Sequence, residues 1–332
     1  MAMPNPPPKL LILLVQVFAY LIAPVHTLGQ PPITDVAVSS DRKSILYISQ
    51  RGLTISLLSE NAAGDKVISN ELKSRTLPIP APNLHSIRFS PTGTRILICG
   101  GTPAVSSFIG IYSWPELTEL KTHDLEGDSI LTGIWLDRER IATAGLDNMI
   151  RIWNTNNLTI DKELAGHSDG ITSLATFSEE KILISAGLDN SLRVWNLEDY
   201  SLTRSLNQHI QPVQSLAFNR ATGGLPLVAS ASDDRTIRFW QPTIGRMVRF
   251  VKLPSKPQDI KWLTDERLAA VCSDGQIYII DTLNVEILVS KQLKTGWCYA
   301  ISAGSTNSQV IICGSRGVLE IMDISSIVND AR

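Results

Sequence analysis

Two stretches of the chain hold residue types that could do chemistry at matched spacing. "TAGLDNMIRIWNT" spans Thr143–Thr155 and "SAGLDNSLRVWNL" spans Ser185–Leu197. Each has a Ser or Thr, an Asp four residues on and a Trp six beyond that, and His167 stands upstream of the second copy. A third copy runs through Ser230, Asp234 and Trp240, with His209 upstream. Ser, His and Asp together are the parts of a hydrolytic triad, in which an imidazole takes the proton of an attacking hydroxyl and a carboxylate holds the ring.

The surroundings argue against that chemistry. A nucleophile must be exposed, and it usually sits on a strained turn such as G-x-S-x-G. Ser185 and Ser230 instead lie inside apolar runs, "ILISAG" and "LVASAS". A catalytic site is also not copied into adjacent units, whereas a structural device is. No phosphate loop, dinucleotide fingerprint or clustered histidines accompany these residues, and the reading calls for no metal or cofactor.

The elements that must position these residues recur along the chain. Placing Trp153 in register gives Leu57, Tyr112, Trp153, Trp195, Trp240, Ile280 and Met322 as third-strand positions, at steps of 55, 41, 42, 45, 40 and 42. The first step is long because of insertions at 58–84 and at "GGTPAVSSF", Gly100–Phe108. Each period opens with an alternating run such as "ITDVAVS" or "VQSLAFN", followed by a second apolar run. A tight turn with Asp-Asn, Asp-Arg, Asp-Gly or Arg-Gly leads to a third run, and a more polar strand closes the unit. Period-two alternation, β-branched residues and Gly/Asp/Asn punctuation mark strands and hairpins. Four antiparallel strands per roughly 40–45 residues are the pattern of a propeller blade. An all-β, seven-bladed propeller over 30–332 is therefore expected.

The chain resembles the WD40-repeat family from about Ile33 to Asp323, and most closely in the fourth and fifth repeats. There Gly166-His167, Ser185, Asp189 and Trp195, and then His209, Ser230, Asp234 and Trp240, match the family's motif. The third repeat keeps Thr143, Asp147 and Trp153, with Leu125 in the His position. The terminal Asp of the motif is replaced by Asn154, Asn196 and Gln241. The resemblance implies a hydrogen-bonded chain from indole to hydroxyl to imidazole to carboxylate. Such a chain satisfies buried polar groups that would each cost about 1–3 kcal/mol if orphaned. It also implies a non-catalytic scaffold that binds a protein or peptide. An enzyme or small-molecule binder using the central channel is the alternative from another class.

The repeats that lack this chain are the individual part of the sequence. Arg51 and Arg316 stand where Asp189 is expected in the first and seventh repeats, Ala270 replaces the Ser of the sixth, and Ile280 and Met322 replace the Trp. Trp297 precedes the first strand of the seventh repeat. Arg and Trp are enriched in binding hot spots, so Arg51, Trp297 and Arg316 form the candidate partner-binding cluster.

The 332 residues are 43% hydrophobic and 19% charged, with a formal net charge of −2. This is the balance of a globular chain, and no basic run marks a nucleic-acid partner. Cys99, Cys272, Cys298 and Cys313 lie far apart in apolar runs and read as buried thiols. The N-terminus differs: Lys9 precedes an uncharged run, Leu10–Val25, with small residues at Thr27 and Gly29. This suits a secretory signal over 1–29, leaving an exported, monomeric ring without a membrane-inserted segment. An intracellular scaffold is the alternative. Cleavage excludes closing the ring with the segment before Ile33, so blade seven then takes Ile324–Asp330 as its outer strand or has only three strands.

Overall fold

In the computed structural model, residues 30–60, 66–68, 74–177, 181–219, 227–304, 306 and 308–325 are described. The chain divides into units 1–30 and 31–332, and every element below lies in the second. The expected signal at 1–29 lies outside the described residues.

Seven antiparallel sheets follow one another along the chain. Blade one has β1 (Ile33–Val38), β2 (Ser44–Ser49) and β3 (Gly52–Glu60), with β4 (Lys66–Ile68) on the far end of β3 and β5 (Arg75–Leu77) on its near half. Blade two has β6 (Leu84–Phe89), β7 (Arg95–Thr102), β8 (Ser106–Ser113) and β9 (Glu119–Glu126). Blade three has β10 (Ile130–Trp135), β11 (Arg140–Gly145), β12 (Met149–Asn154) and β13 (Thr159–Ala165). Blade four has β14 (Ile171–Phe177), β15 (Ile182–Gly187), β16 (Leu192–Asn196) and β17 (Leu202–Leu206). Blade five has β18 (Val213–Asn219), β19 (Leu227–Ser232), β20 (Thr236–Gln241) and β21 (Arg246–Lys252). Blade six has β22 (Pro257–Trp262), β23 (Arg267–Cys272), β24 (Gln276–Asp281) and β25 (Glu286–Gln292). Blade seven has three strands among the described residues, β26 (Cys298–Ala303), β27 (Gln309–Gly314) and β28 (Leu319–Asp323). The first strands pack side by side around the ring, and β26 returns to β1. The expected seven-bladed architecture is present. The fourth strand expected from Ile324–Asp330 falls mostly outside the described residues; Ile324 itself is buried, and its N–H donates to Ser308 O at 2.7 Å.

The turn chemistry explains the punctuation. The residue after the turn Asp or Arg has positive φ in six blades: Gly52 (φ 105°), Asn148 (φ 66°), Asn190 (φ 64°), Arg235 (φ 64°), Gly275 (φ 78°) and Gly317 (φ 68°). Gly and Asn tolerate this region and Arg does so at a cost. The core lies between blades, not within them. One cluster of buried side chains fills each of the seven interfaces. That is why the second strands are apolar on both faces, as in the pattern iBBBBB of β15 and β19.

The insertion at Gly100–Phe108 prolongs the β7–β8 hairpin, with Gly100 opposite Phe108 and Thr102 opposite Ser106. One expectation is corrected. In blade one the third-strand position is Ser56, not Leu57. Ile45 pairs with Ser56, as Leu183 pairs with Trp195. The turn between β2 and β3 holds only Gln50 and Arg51 between the paired Ser49 and Gly52, one residue fewer than in blade four. Ser56 is accordingly buried and Leu57 is 44% exposed.

Candidate functional site

The Ser, His and Asp groups of blades four and five form two closed chains. In blade four the Trp195 indole N–H donates to Ser185 Oγ at 2.9 Å, and Ser185 Oγ lies 2.7 Å from His167 Nε2. His167 Nδ1 lies 2.9 Å from Asp189 Oδ2. In blade five the corresponding distances are 2.8 Å from Trp240 to Ser230, 2.7 Å from Ser230 to His209 Nε2 and 2.8 Å from His209 Nδ1 to Asp234 Oδ2. A carboxylate only accepts, so the ring proton sits on Nδ1 and the hydroxyl donates to Nε2. Gly166 admits the indole: a Cβ there would lie 2.8 Å from Trp195 Cη2.

The geometry is that of a clasp, not of a reaction centre. Ser185 and Ser230 are 0% exposed, and so are both histidine side chains. Each hydroxyl oxygen accepts the indole N–H and gives its proton to a ring, so no substrate carbon can approach it. The carboxylates complete the turns. Asp189 accepts from Ser191 N–H at 3.1 Å, and Asp234 from Thr236 N–H at 2.9 Å. Burial pushes both carboxyl groups up. The hydrogen bonds from His167 and Ser191, and from His209 and Thr236, outweigh it and hold them below the usual carboxylate range. Burial also lowers His209 below the usual histidine value, against the pull of Asp234.

Blade three keeps half of the chain. The Trp153 indole donates to Thr143 Oγ1 at 2.8 Å, while Asp147 pairs with Arg151 and accepts from Met149 N–H. The side chain of Leu125 lies outside the described residues; His123 packs edge-on against the Trp153 ring at 5.5 Å. Arg151, Arg193 and Arg238 were not anticipated. Each stands two residues before its blade's Trp and faces the turn carboxylate, at 3.6 Å for Arg193–Asp189 and Arg238–Asp234. The recurring R-x-W triplet, in "RIW", "RVW" and "RFW", was the signal for them.

A second device also escaped the sequence reading. Each first strand carries an irregularity near its start, and the residue just after it is Asp35, Ser86, Thr132, Ser173, Ser215, Asp259 or Ala300. Several of these reach the next blade. Asp35 Oδ2 accepts from Ile87 N–H at 2.9 Å, Ser173 Oγ from Leu216 N–H at 3.1 Å and Asp259 Oδ2 from Ile301 N–H at 2.9 Å. Ser215 Oγ donates to Asp259 Oδ1 at 2.6 Å. Polar residues recurring in phase within "ITDVAVS", "ITSLATF", "VQSLAFN" and "PQDIKWL" mark these latches. Trp135 and Trp262 add to them by donating to Arg88 O at 3.3 Å and Ala217 O at 3.0 Å.

The first strands enclose a channel of about 900 Å³. Thr34, His85, Leu131, Thr172, Gln214, Gln258 and Tyr299, the residues skipped by the strand irregularities, all line it. Arg88 projects into it and pairs with Asp35. Burial pushes Asp259 up and lowers His85 to about 4. The four cysteines are buried and unpaired to one another, and burial pushes each thiol up, Cys99 to about 12. No group of three or more His, Cys, Asp or Glu suited to a metal occurs among the described residues, and none of their helices is long and apolar enough to cross a membrane.

The candidate partner cluster is partly assembled. Trp297 is 44% exposed, and its carbonyl and N–H both bond to Ser315, at 2.9 Å to the N–H and 3.1 Å to Oγ. Arg316 is exposed beside it, with its N–H on Thr295 O at 3.1 Å and Nη1 3.4 Å from Lys294 O. Arg51 is exposed in the shortened turn of neighbouring blade one. Counted from the second strand it matches Asp189, but counted from the third strand Gln50 does.

The fold and the clasps together define an all-β, seven-bladed propeller built from polar-clasped repeats. Comparison with known families agrees: the family model described as "WD domain, G-beta repeat" matches residues 159–196 and 200–241. Each match begins at the outer strand of one blade and ends at the third strand of the next, so the sequence repeat is out of phase with the blade. None of the curated proteins compared with the chain matches it significantly.

Proposed function

We propose that the protein is a non-catalytic interaction scaffold whose partner surface includes the exposed turn face of blade seven. The observation that carries this reading is the fate of the reactive groups. Every Ser, His and Asp of the two clasps is consumed internally, while Trp297 and Arg316 are held outward on a turn that lacks the clasp. A half-exposed Trp beside an Arg offers the residue types that dominate binding energy. The partner is a protein or peptide. Partner capture with the Arg316→Ala and Trp297→Ala variants tests this; a loss of binding at unchanged melting temperature is expected, and unaltered affinity in both overturns it.

Export belongs to the same reading. The uncharged run Leu10–Val25 behind Lys9, followed by Thr27 and Gly29, supports a signal cut near Gly29–Gln30 and work in a periplasm, on a cell surface or outside the cell. Cell fractionation with N-terminal mass analysis of the mature protein tests it, and an intact N-terminus overturns it.

A further inference from the structure

The formal net charge of −2 hides a segregation of charge on the rim. Outer strand β21, "RMVRFVK", carries Arg246, Arg249 and Lys252 and no acid. Outer strand β9, "ELKTHDLE", carries Glu119, Asp124 and Glu126 against a single Lys121. The other outer strands of blades three, four and six, "TIDKELA", "LTRSL" and "EILVSKQ", are mixed or nearly uncharged. None of the six charges that distinguish β9 and β21 makes an ion pair among the described residues.

The two strands are alike in form. Each is the last strand of its sheet, paired on one side only among the described residues, so each presents a row of backbone groups outward. Each also exposes apolar side chains, Leu120 at 44% on β9 and Val248 at 38% and Phe250 at 51% on β21. Charge on an edge guards against pairing, but only between like edges: β21 repels β21 and β9 repels β9. The unlike pair is left attractive. What β21 fits is an extended, acidic edge of similar length with an apolar residue in it, and the molecule itself carries one.

We propose that the ring associates head to tail with further copies of itself, the acidic edge β9 of one copy meeting the basic edge β21 of the next. Blades two and five are three steps apart in a ring of seven, about as far as the ring allows. One pair of copies therefore cannot join both edges at once. The contact is heterologous and extends into open chains instead of closing a two-fold dimer. This departs from the monomeric ring expected from sequence.

Sedimentation velocity of the full chain, across a range of concentration, tests the proposal. At about 0.01 M salt, where charges act over about 30 Å, the mean mass rises with concentration; at about 1 M, where they act over about 3 Å, it returns to the monomer. Arg246→Glu with Lys252→Glu, or Asp124→Lys with Glu126→Lys, each weakens association by about tenfold or more, since all four positions are exposed and each swap replaces attraction by repulsion. Mixing the two double variants restores it, because one then has two acidic edges and the other two basic ones. Unchanged melting temperatures show that the fold survives the swaps. A monomer at low salt, variants that associate like the wild type, or a mixture that fails to recover overturns the proposal. So does association that persists in high salt, which is what the apolar run Leu10–Val25 would produce.

Discussion

Blades four and five and blades seven and one meet in opposite ways. At the junction of four and five, Trp240 is fully buried against Leu192, Val194 and Leu206, and its indole enters a clasp that ends on a turn carboxylate. Ser173 adds a latch to the backbone of blade five. At the junction of seven and one the same three places hold Ser56, Arg51 and Ala300, and the buried cluster is Ile33, Val36, Ile45, Ala300, Ile311 and Cys313. A small hydroxyl replaces the indole, an exposed cation replaces the carboxylate, and no side-chain acceptor stands at the latch. The clasp, then, is one way to fix a blade, and a turn released from it is free to carry an exposed group.

The sharpest way to break the comparison is to empty both third-strand positions. Trp240→Ala removes the largest buried side chain of its interface and takes the indole donor from Ser230 Oγ, so a loss of about 3–5 kcal/mol is expected in denaturant unfolding. Ser56→Ala at the junction of seven and one should stay within about 0.5 kcal/mol, because the side chain is small and makes no hydrogen bond among the described residues. Equal losses at the two sites would mean that the junctions are fixed alike. Next in size is Ser230→Ala. It leaves His209 Nε2 and the Trp240 indole without partners and is expected to cost about 1–3 kcal/mol. The reciprocal change, Ala270→Ser in blade six, restores the hydroxyl where Ile280 supplies no indole, and should bring no gain.

The fold was legible because a strand–turn pattern repeats, and the clasp because its polar residues recur at fixed spacing inside apolar runs. Blade one was misplaced by one residue for a physical reason: its turn is shorter, and a Ser at the third-strand position offers no aromatic marker for the register. The latches were visible as Asp35, Ser173, Ser215 and Asp259 in phase, yet a polar residue on a half-buried strand reads as surface until the next blade is in place. The charge segregation of β9 and β21 could not be read linearly. Residues 119–126 and 246–252 become opposite edges only when the ring closes.

Acid sharpens the comparison from another side. His209 is held below its usual value, so the unfolded chain binds a proton first as pH falls below about 6.5, and stability declines from there. Asp189 and Asp234 are also held low; their contribution is complete above the ordinary carboxylate value of about 4 and is lost only as pH falls through their folded values. The strands of blade seven contain no histidine. Hydrogen exchange, corrected for intrinsic rates, should therefore show blade five losing protection between about pH 6.5 and pH 4 before blade seven does. Parallel loss in both would separate the clasp histidine from acid sensitivity.

The smallest effect concerns the turn that the clasp holds. Asn148 and Asn190 follow the turn Asp in blades three and four, but Arg235 follows it in blade five, at φ 64°. A branched-free but bulky side chain in the left-handed region costs roughly 1 kcal/mol more than Gly, and Asn lies between them. The clasp therefore overrides a local preference in blade five that it does not oppose in blade four. Arg235→Asn should raise stability by about 0.5 kcal/mol, read as a small upward shift of the unfolding midpoint at unchanged slope. With Ser230→Ala in the background the turn is no longer tied to the hydroxyl, and the same substitution should matter less, because the turn can relax out of the left-handed region. Full additivity of the two changes would show that the turn keeps its shape without the clasp.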